Sequence, residues 1–117
     1  MALVIKPNTK FKWTVKSFVP VDDKYEDVEF DATFNVVDSA KVIGKGLVEQ
    51  ARLVLYDFEG DVYDENDELV TDRVERVRLL SSHVNHAKSI AETWMLATMR
   101  TGPESPPEYE QKNSDRS

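Results

Sequence analysis

Apolar and polar residues alternate almost without fault in two stretches near the start of the chain. From Phe11 to Val21 the odd positions read Phe11, Trp13, Val15, Ser17, Val19 and Val21, with Lys10, Lys12, Thr14 and Lys16 between them. From Asp27 to Val36 the even positions read Val28, Phe30, Ala32, Phe34 and Val36, against Asp27, Glu29, Asp31, Thr33 and Asn35. A period of two is that of a strand with one buried and one solvated face. The short polar link Asp22-Asp23-Lys24-Tyr25 makes the pair an antiparallel hairpin over 10–37. Pairing Val21 with Glu26 sets Val19 against Val28, Val15 against Ala32 and Trp13 against Phe34, with Lys16 opposite Asp31 and Thr14 opposite Thr33 on the wet side. A slip of one residue would turn one apolar set outward, so the face assignment is tightly specified.

Beyond the hairpin the period lengthens. Asp38-Ser39 is a plausible N-cap pair for a helix over 39–58, with Ile43, Leu47, Ala51, Val54 and Phe58 on one face, although Gly44 and Gly46 weaken its start. An acidic loop follows over 57–70, with a small hairpin around Glu65-Asn66-Asp67. Thr71 can cap a helical region over 72–99, where Val74, Val77 and Leu80 form one apolar stripe. After Ser81-Ser82, Val84, Ala87, Ala91, Trp94, Met95 and Thr98 form another in a helix from about His83 to Met99. The expected fold is α+β, a single domain over 1–100. In it an N-terminal antiparallel β-hairpin packs on about three α-helices through Trp13, Val15, Phe30, Phe34, Ile43, Val54, Val77, Leu80 and Trp94. Residues 1–9 read as a flexible arm and 101–117, with Pro103, Pro106 and Pro107 and no large aliphatic residue, as a disordered tail.

Charge sharpens this picture. The 117 residues carry a net charge of −7 and no cysteine. That composition argues against nucleic acid as the main partner and excludes disulfides and thiolate metal sites. Nothing in the sequence is long and apolar enough to span a membrane, so a membrane role is not expected. Seven carboxylates, Asp57, Glu59, Asp61, Asp64, Glu65, Asp67 and Glu68, follow one another with no intervening cation. The flanking helical segments are net positive, with Lys41, Lys45 and Arg52 before and Arg73, Arg76, Arg78, Lys88 and Arg100 after. Neighbouring copies could therefore meet acidic connection to basic helix, which makes Asp57, Glu59, Asp61, Asp64, Glu65, Arg73, Arg76 and Arg78 the self-association candidates. Such a contact joins unlike surfaces and builds a ring or a helical array.

Candidate chemistry is thin. Asp64, Asn66, Glu68 and Glu75 fall at positions 1, 3, 5 and 12 of an EF-hand register, but Leu69 stands where the loop needs glycine. His83 and His86 are spaced to share a helix face, without a third ligand. No nucleophile elbow, phosphate loop or dinucleotide fingerprint occurs. The chain reads as a non-enzyme with no cofactor and no metal. Trp94, Met95 and Met99 are the candidates for a partner-binding surface, because aromatic and methionine side chains suit adaptable contacts; for Trp94, ordinary core packing is the competing reading.

Taken in order, Phe11-Lys-Trp13-Thr-Val15, Val19-Pro20-Val21-Asp22-Asp-Lys24-Tyr25 and Phe30-Asp-Ala32-Thr-Phe34 resemble the start of the tail assembly chaperones of long-tailed phages with non-contractile tails. Gly60-Asp-Val62, Asp64-Glu-Asn-Asp67-Glu, Leu79-Leu80 and the closing Lys112-Asn113-Ser114 fit the same family, whereas Gly44-Lys-Gly46 has no counterpart in it. The resemblance implies an oligomeric chaperone in the cytoplasm of the bacterial host. Such a protein binds the tape measure protein, keeps it soluble, promotes polymerisation of the major tail protein and is absent from the mature virion. It also implies a longer, frameshifted form sharing this N-terminal part. The alternative expectation is a small structural tail or connector protein retained in the virion; a calcium-binding regulator is a third.

Overall fold

The computed structural model describes residues 9–99, and the expected arm and tail lie outside them apart from Thr9. Strands β1 (Lys10–Val21) and β2 (Lys24–Asn35) form the hairpin. A single 3₁₀ turn at Ser39–Lys41 leads to α1 (Leu47–Val54), which runs directly into β3 (Leu55–Phe58); α2 (Arg73–Ser81) and α3 (Val84–Met99) complete the α+β fold. The sheet is antiparallel with order β1-β2-β3. Helices α1 and α3 pack on each other, and α3 lies along β1.

The hairpin closes more tightly than the length of its linker predicts. Asp22 adopts φ 55°, so Asp22 and Asp23 alone make the turn and Val21 pairs with Lys24. The ladder is displaced two residues from the expected one: Trp13 pairs with Ala32, Val15 with Phe30, Phe11 with Phe34 and Ser17 with Val28. A shift of two leaves every side chain on its expected face. The observed register also sets large against small, Trp13 over Ala32, and stacks the Phe11 and Phe34 rings with centroids 5.4 Å apart. On the wet face it is Thr14, not Lys16, that meets Asp31, through a 2.9 Å hydrogen bond.

The expected helix over 39–58 is corrected more deeply. Asp38 does cap, its Oδ1 accepting from Ala40 N at 3.0 Å, but the helix it opens is one 3₁₀ turn. Gly44 then takes φ 87°, a left-handed conformation costly for other residues. The α-helix starts only after Gly46 and ends at Leu55, whose backbone is extended. Leu55-Tyr56-Asp57-Phe58 becomes a strand, pairing Ala32 with Phe58 and Phe34 with Leu55 across a bulge. The change of element puts Val42 rather than Ile43 into the core; Ile43 is 70% exposed. Val15, Phe34, Val54, Val77 and Trp94 are buried as expected, joined by Ala32, Ala51, Leu55, Phe58, Ala87 and Ile90, while Trp13, Phe30 and Leu80 pack at the margin. Helix α2 is capped by Asp72, which accepts from Glu75 N at 3.0 Å, in place of the expected Thr71.

Candidate protein-binding surfaces

Of the three residues expected to meet a partner, Trp94 does not reach the surface. It is 4% exposed, and its indole N–H donates to the Asn35 carbonyl at 2.9 Å, fastening α3 to the end of β2. Met95 and Met99 lie one turn apart on α3 and are exposed, Met99 at 60%. Val36, the next residue after the one Trp94 holds, is exposed as well.

The opposite end of the sheet offers a second apolar surface. Asn85, near the start of α3, donates to the Phe18 carbonyl at 2.7 Å. Past that contact the hairpin continues for three residue pairs, ending at Val21 and Lys24. On one face of this tip sits Val21; on the other, Phe18 and Tyr25 meet edge to face at 5.1 Å. All three are exposed, Tyr25 at 75%, among the exposed Asp22, Asp23, Glu26 and Asp27. Pro20 occupies an edge position facing away from β2, where its missing N–H costs the ladder nothing.

The charged residues expected to join copies divide into two groups. Asp57, Arg73 and Arg76 are engaged along the outer edge of β3. Arg76 donates to the Phe58 carbonyl at 2.7 Å and the Gly60 carbonyl at 2.8 Å and lies 3.6 Å from Asp57, with its guanidinium over the Phe58 ring. Arg73 donates to the Tyr56 carbonyl at 2.8 Å and covers the Tyr56 ring. Asp57 accepts from Phe58 N at 2.8 Å. An edge strand exposes a row of unpaired backbone groups; here two guanidiniums and a carboxylate fill them. Arg76, with a side chain only 14% exposed, is thus a structural residue.

The other group stays on the surface. Arg78 pairs with Glu75 one turn before it, a contact that lowers the Glu75 pKa through the hydrogen bond and raises that of Arg78. Glu59, Asp61 and Glu65 are exposed. The small hairpin expected at Glu65-Asn66-Asp67 is present as a bridge between Tyr63 and Leu69. Asp64 Oδ1 closes it, accepting from Asn66 N at 2.8 Å and Glu68 N at 3.0 Å, and Asp67 turns it with φ 59°. These bonds give the loop its shape through its own carboxylate, and among the described residues there is no group of three or more His, Cys, Asp or Glu side chains placed to hold a metal ion.

Between α1, β3 and α2 lies a cleft of about 440 Å³ lined by Leu55, Tyr56, Val74 and Val77 with Arg52, Arg73 and Arg78. Arg52 reaches the end of α2, donating to Ser81 Oγ at 3.0 Å and Ser82 Oγ at 3.1 Å. Asn35 of β2 completes the cleft's lining, which thus comes from four elements, one of them the unexpected strand, and so leaves no pattern in the sequence.

The expected histidine pair lies together, the His83 and His86 rings edge to face with centroids 6.1 Å apart. His86 Nδ1 lies 2.7 Å from Ser17 Oγ, with Ser89 Oγ 3.2 Å from the same hydroxyl. Burial pushes the His86 pKa below the usual imidazole range, and His83 adds to the shift. Ser17 is buried, and the contact fastens α3 to β1. No helix among the described residues is long and apolar enough to cross a membrane. Compared with protein-family models, with curated proteins and with solved structures, the chain matches none.

Proposed function

We propose that this chain is a tail assembly chaperone of a long-tailed phage, a binding protein rather than an enzyme. It holds the tape measure protein in soluble form in the host cytoplasm, promotes polymerisation of the major tail protein and leaves before the virion is complete. The family is proposed from the resemblance of its strands and turn. The observation that carries the binding role is the uncovered hairpin tip, where Phe18, Val21 and Tyr25 are presented on a two-stranded ribbon that α3 leaves bare. Exposed apolar side chains held in fixed positions and ringed by carboxylates suit the apolar stripe of a helical client, and the carboxylates keep the unloaded protein soluble. Met95 and Met99 form a second contact at the far end of α3. Weak contacts repeated by several copies along a long client supply avidity without tight single sites.

Coexpression with segments of the tape measure protein tests this reading. It should raise the soluble yield of at least one segment and give a complex that copurifies. Val21→Ser with Tyr25→Ser should lose that complex while leaving the fold intact by circular dichroism. No complex with any segment, or the chain found as a stoichiometric component of purified virions, would overturn it.

A further inference from the structure

Arg52 and Arg73 stand at the rim of the cleft without a carboxylate within 4 Å among the described residues. Each is held by neutral partners: Arg52 by the Ser81 and Ser82 hydroxyls, Arg73 by the Tyr56 carbonyl and ring. Two guanidiniums so positioned beside an apolar floor form a preorganised receptor for carboxylates attached to apolar groups. Val74, in the lining and 61% exposed, extends the apolar surface outward.

A surface of opposite character adjoins it. The Tyr63–Leu69 bridge sets two exposed apolar side chains opposite each other, and Asp61, Asp67 and Glu68 are exposed nearby in the same loop. Leu69 precedes Arg73 by four residues, which holds the acidic–apolar half within about 14 Å of the basic–apolar one at that point. A strip with adjoining complementary halves matches a second copy of itself rotated by half a turn.

We infer that this strip is a two-fold interface between two copies of the chain. Tyr63, Leu69 and Glu68 of each copy seat against Val74, Arg52 and Arg73 of the other. The inference rests on the oligomeric part of the proposed function and is independent of the client. It also revises the ring or array expected from charge order along the sequence. In the fold the two signs adjoin, so reciprocal pairing engages both halves of both copies and leaves neither for a third. Arg76, an expected contact, is replaced by Arg52.

Sedimentation of the full chain without any client tests this. At low ionic strength the protein should pass with rising concentration from 13.4 kDa to twice that mass and no further, and salt should reverse the change. Arg52→Glu with Arg73→Glu, and separately Asp61→Lys with Glu68→Lys, should each weaken the dimer about tenfold or more, because like charges then face each other. An equimolar mixture of the two variants should dimerise again, since every contact regains opposite charges. Val74→Asp, at an exposed position that folding does not require, should weaken the dimer with circular dichroism unchanged. A wild-type chain that stays monomeric at low salt, a Val74→Asp variant that dimerises normally, a mixture without rescue, or assemblies beyond two copies would each overturn the inference. The tip variants Val21→Ser and Tyr25→Ser should leave dimerisation unchanged, so a lost client complex and a lost dimer are separate results.

Discussion

Ser17 Oγ and His86 Nδ1 stand 2.7 Å apart where the first turn of α3 meets β1. Burial lowers the imidazole pKa, so the folded state favours the neutral ring. An unfolded chain takes up that proton near the ordinary histidine value of about 6.5. Between that value and the depressed folded one, the unfolded state binds more protons, so stability falls as pH falls. The expected loss begins near pH 6.5, has a slope of at most about 1.4 kcal/mol per pH unit and levels off below the folded pKa. Urea melts of wild type and His86→Gln across this range check it; the variant should lack that component of the slope.

Phenylalanine should be tolerated at one tryptophan and costly at the other. Trp94 donates to the Asn35 carbonyl, so Trp94→Phe loses a bond and leaves a partner behind, at a cost of about 1–3 kcal/mol. Trp13 Nε1 is buried with no hydrogen-bond partner among the described residues. Trp13→Phe removes that unmet donor while losing some packing, and the expected change is within about 1 kcal/mol of zero. Equilibrium denaturation of the two variants measures the contrast.

At β3, Arg76→Met should destabilise the fold by about 1–3 kcal/mol, because the Phe58 and Gly60 carbonyls lose their donor in a half-buried setting. The same variant should aggregate faster on partial unfolding, which light scattering during thermal ramps would record.

The glycines before α1 separate cleanly. Gly44→Ala should cost about 1–2 kcal/mol because of its φ of 87°, even though nothing lies within 4 Å of the added carbon. Gly46 has an ordinary extended conformation at the N-cap and equal space, so Gly46→Asp should gain a few tenths of a kcal/mol. Thermal melts of the single variants suffice.

The faces of β1 and β2 were legible because alternation survives any even shift of register. The register itself was not, since the positive φ of Asp22 that shortens the turn leaves no periodic trace. Strand β3 was hidden by coincidence: Ala51, Val54 and Phe58 keep helical spacing although only the first two are helical. Charge order marked Asp57, Arg73 and Arg76 as groups seeking partners. Their partners within the chain include backbone atoms of Tyr56, Phe58 and Gly60, and a sequence read for side chains does not count those. The bare hairpin tip was equally invisible, because only the fold shows that the cover given by α3 reaches Phe18 and stops.

The side chains laid along β3 bear on time as well as on shape. Copies that joined strand to strand at this edge would exchange backbone bonds in a continuous ladder and would part slowly. With the Tyr56 and Phe58 carbonyls already occupied by Arg73 and Arg76, association through this part of the molecule is left to side chains, whose charged contacts dissolve with salt and dilution. On the proposed function, such contacts let the protein gather around a partner during construction and be gone when the work is finished.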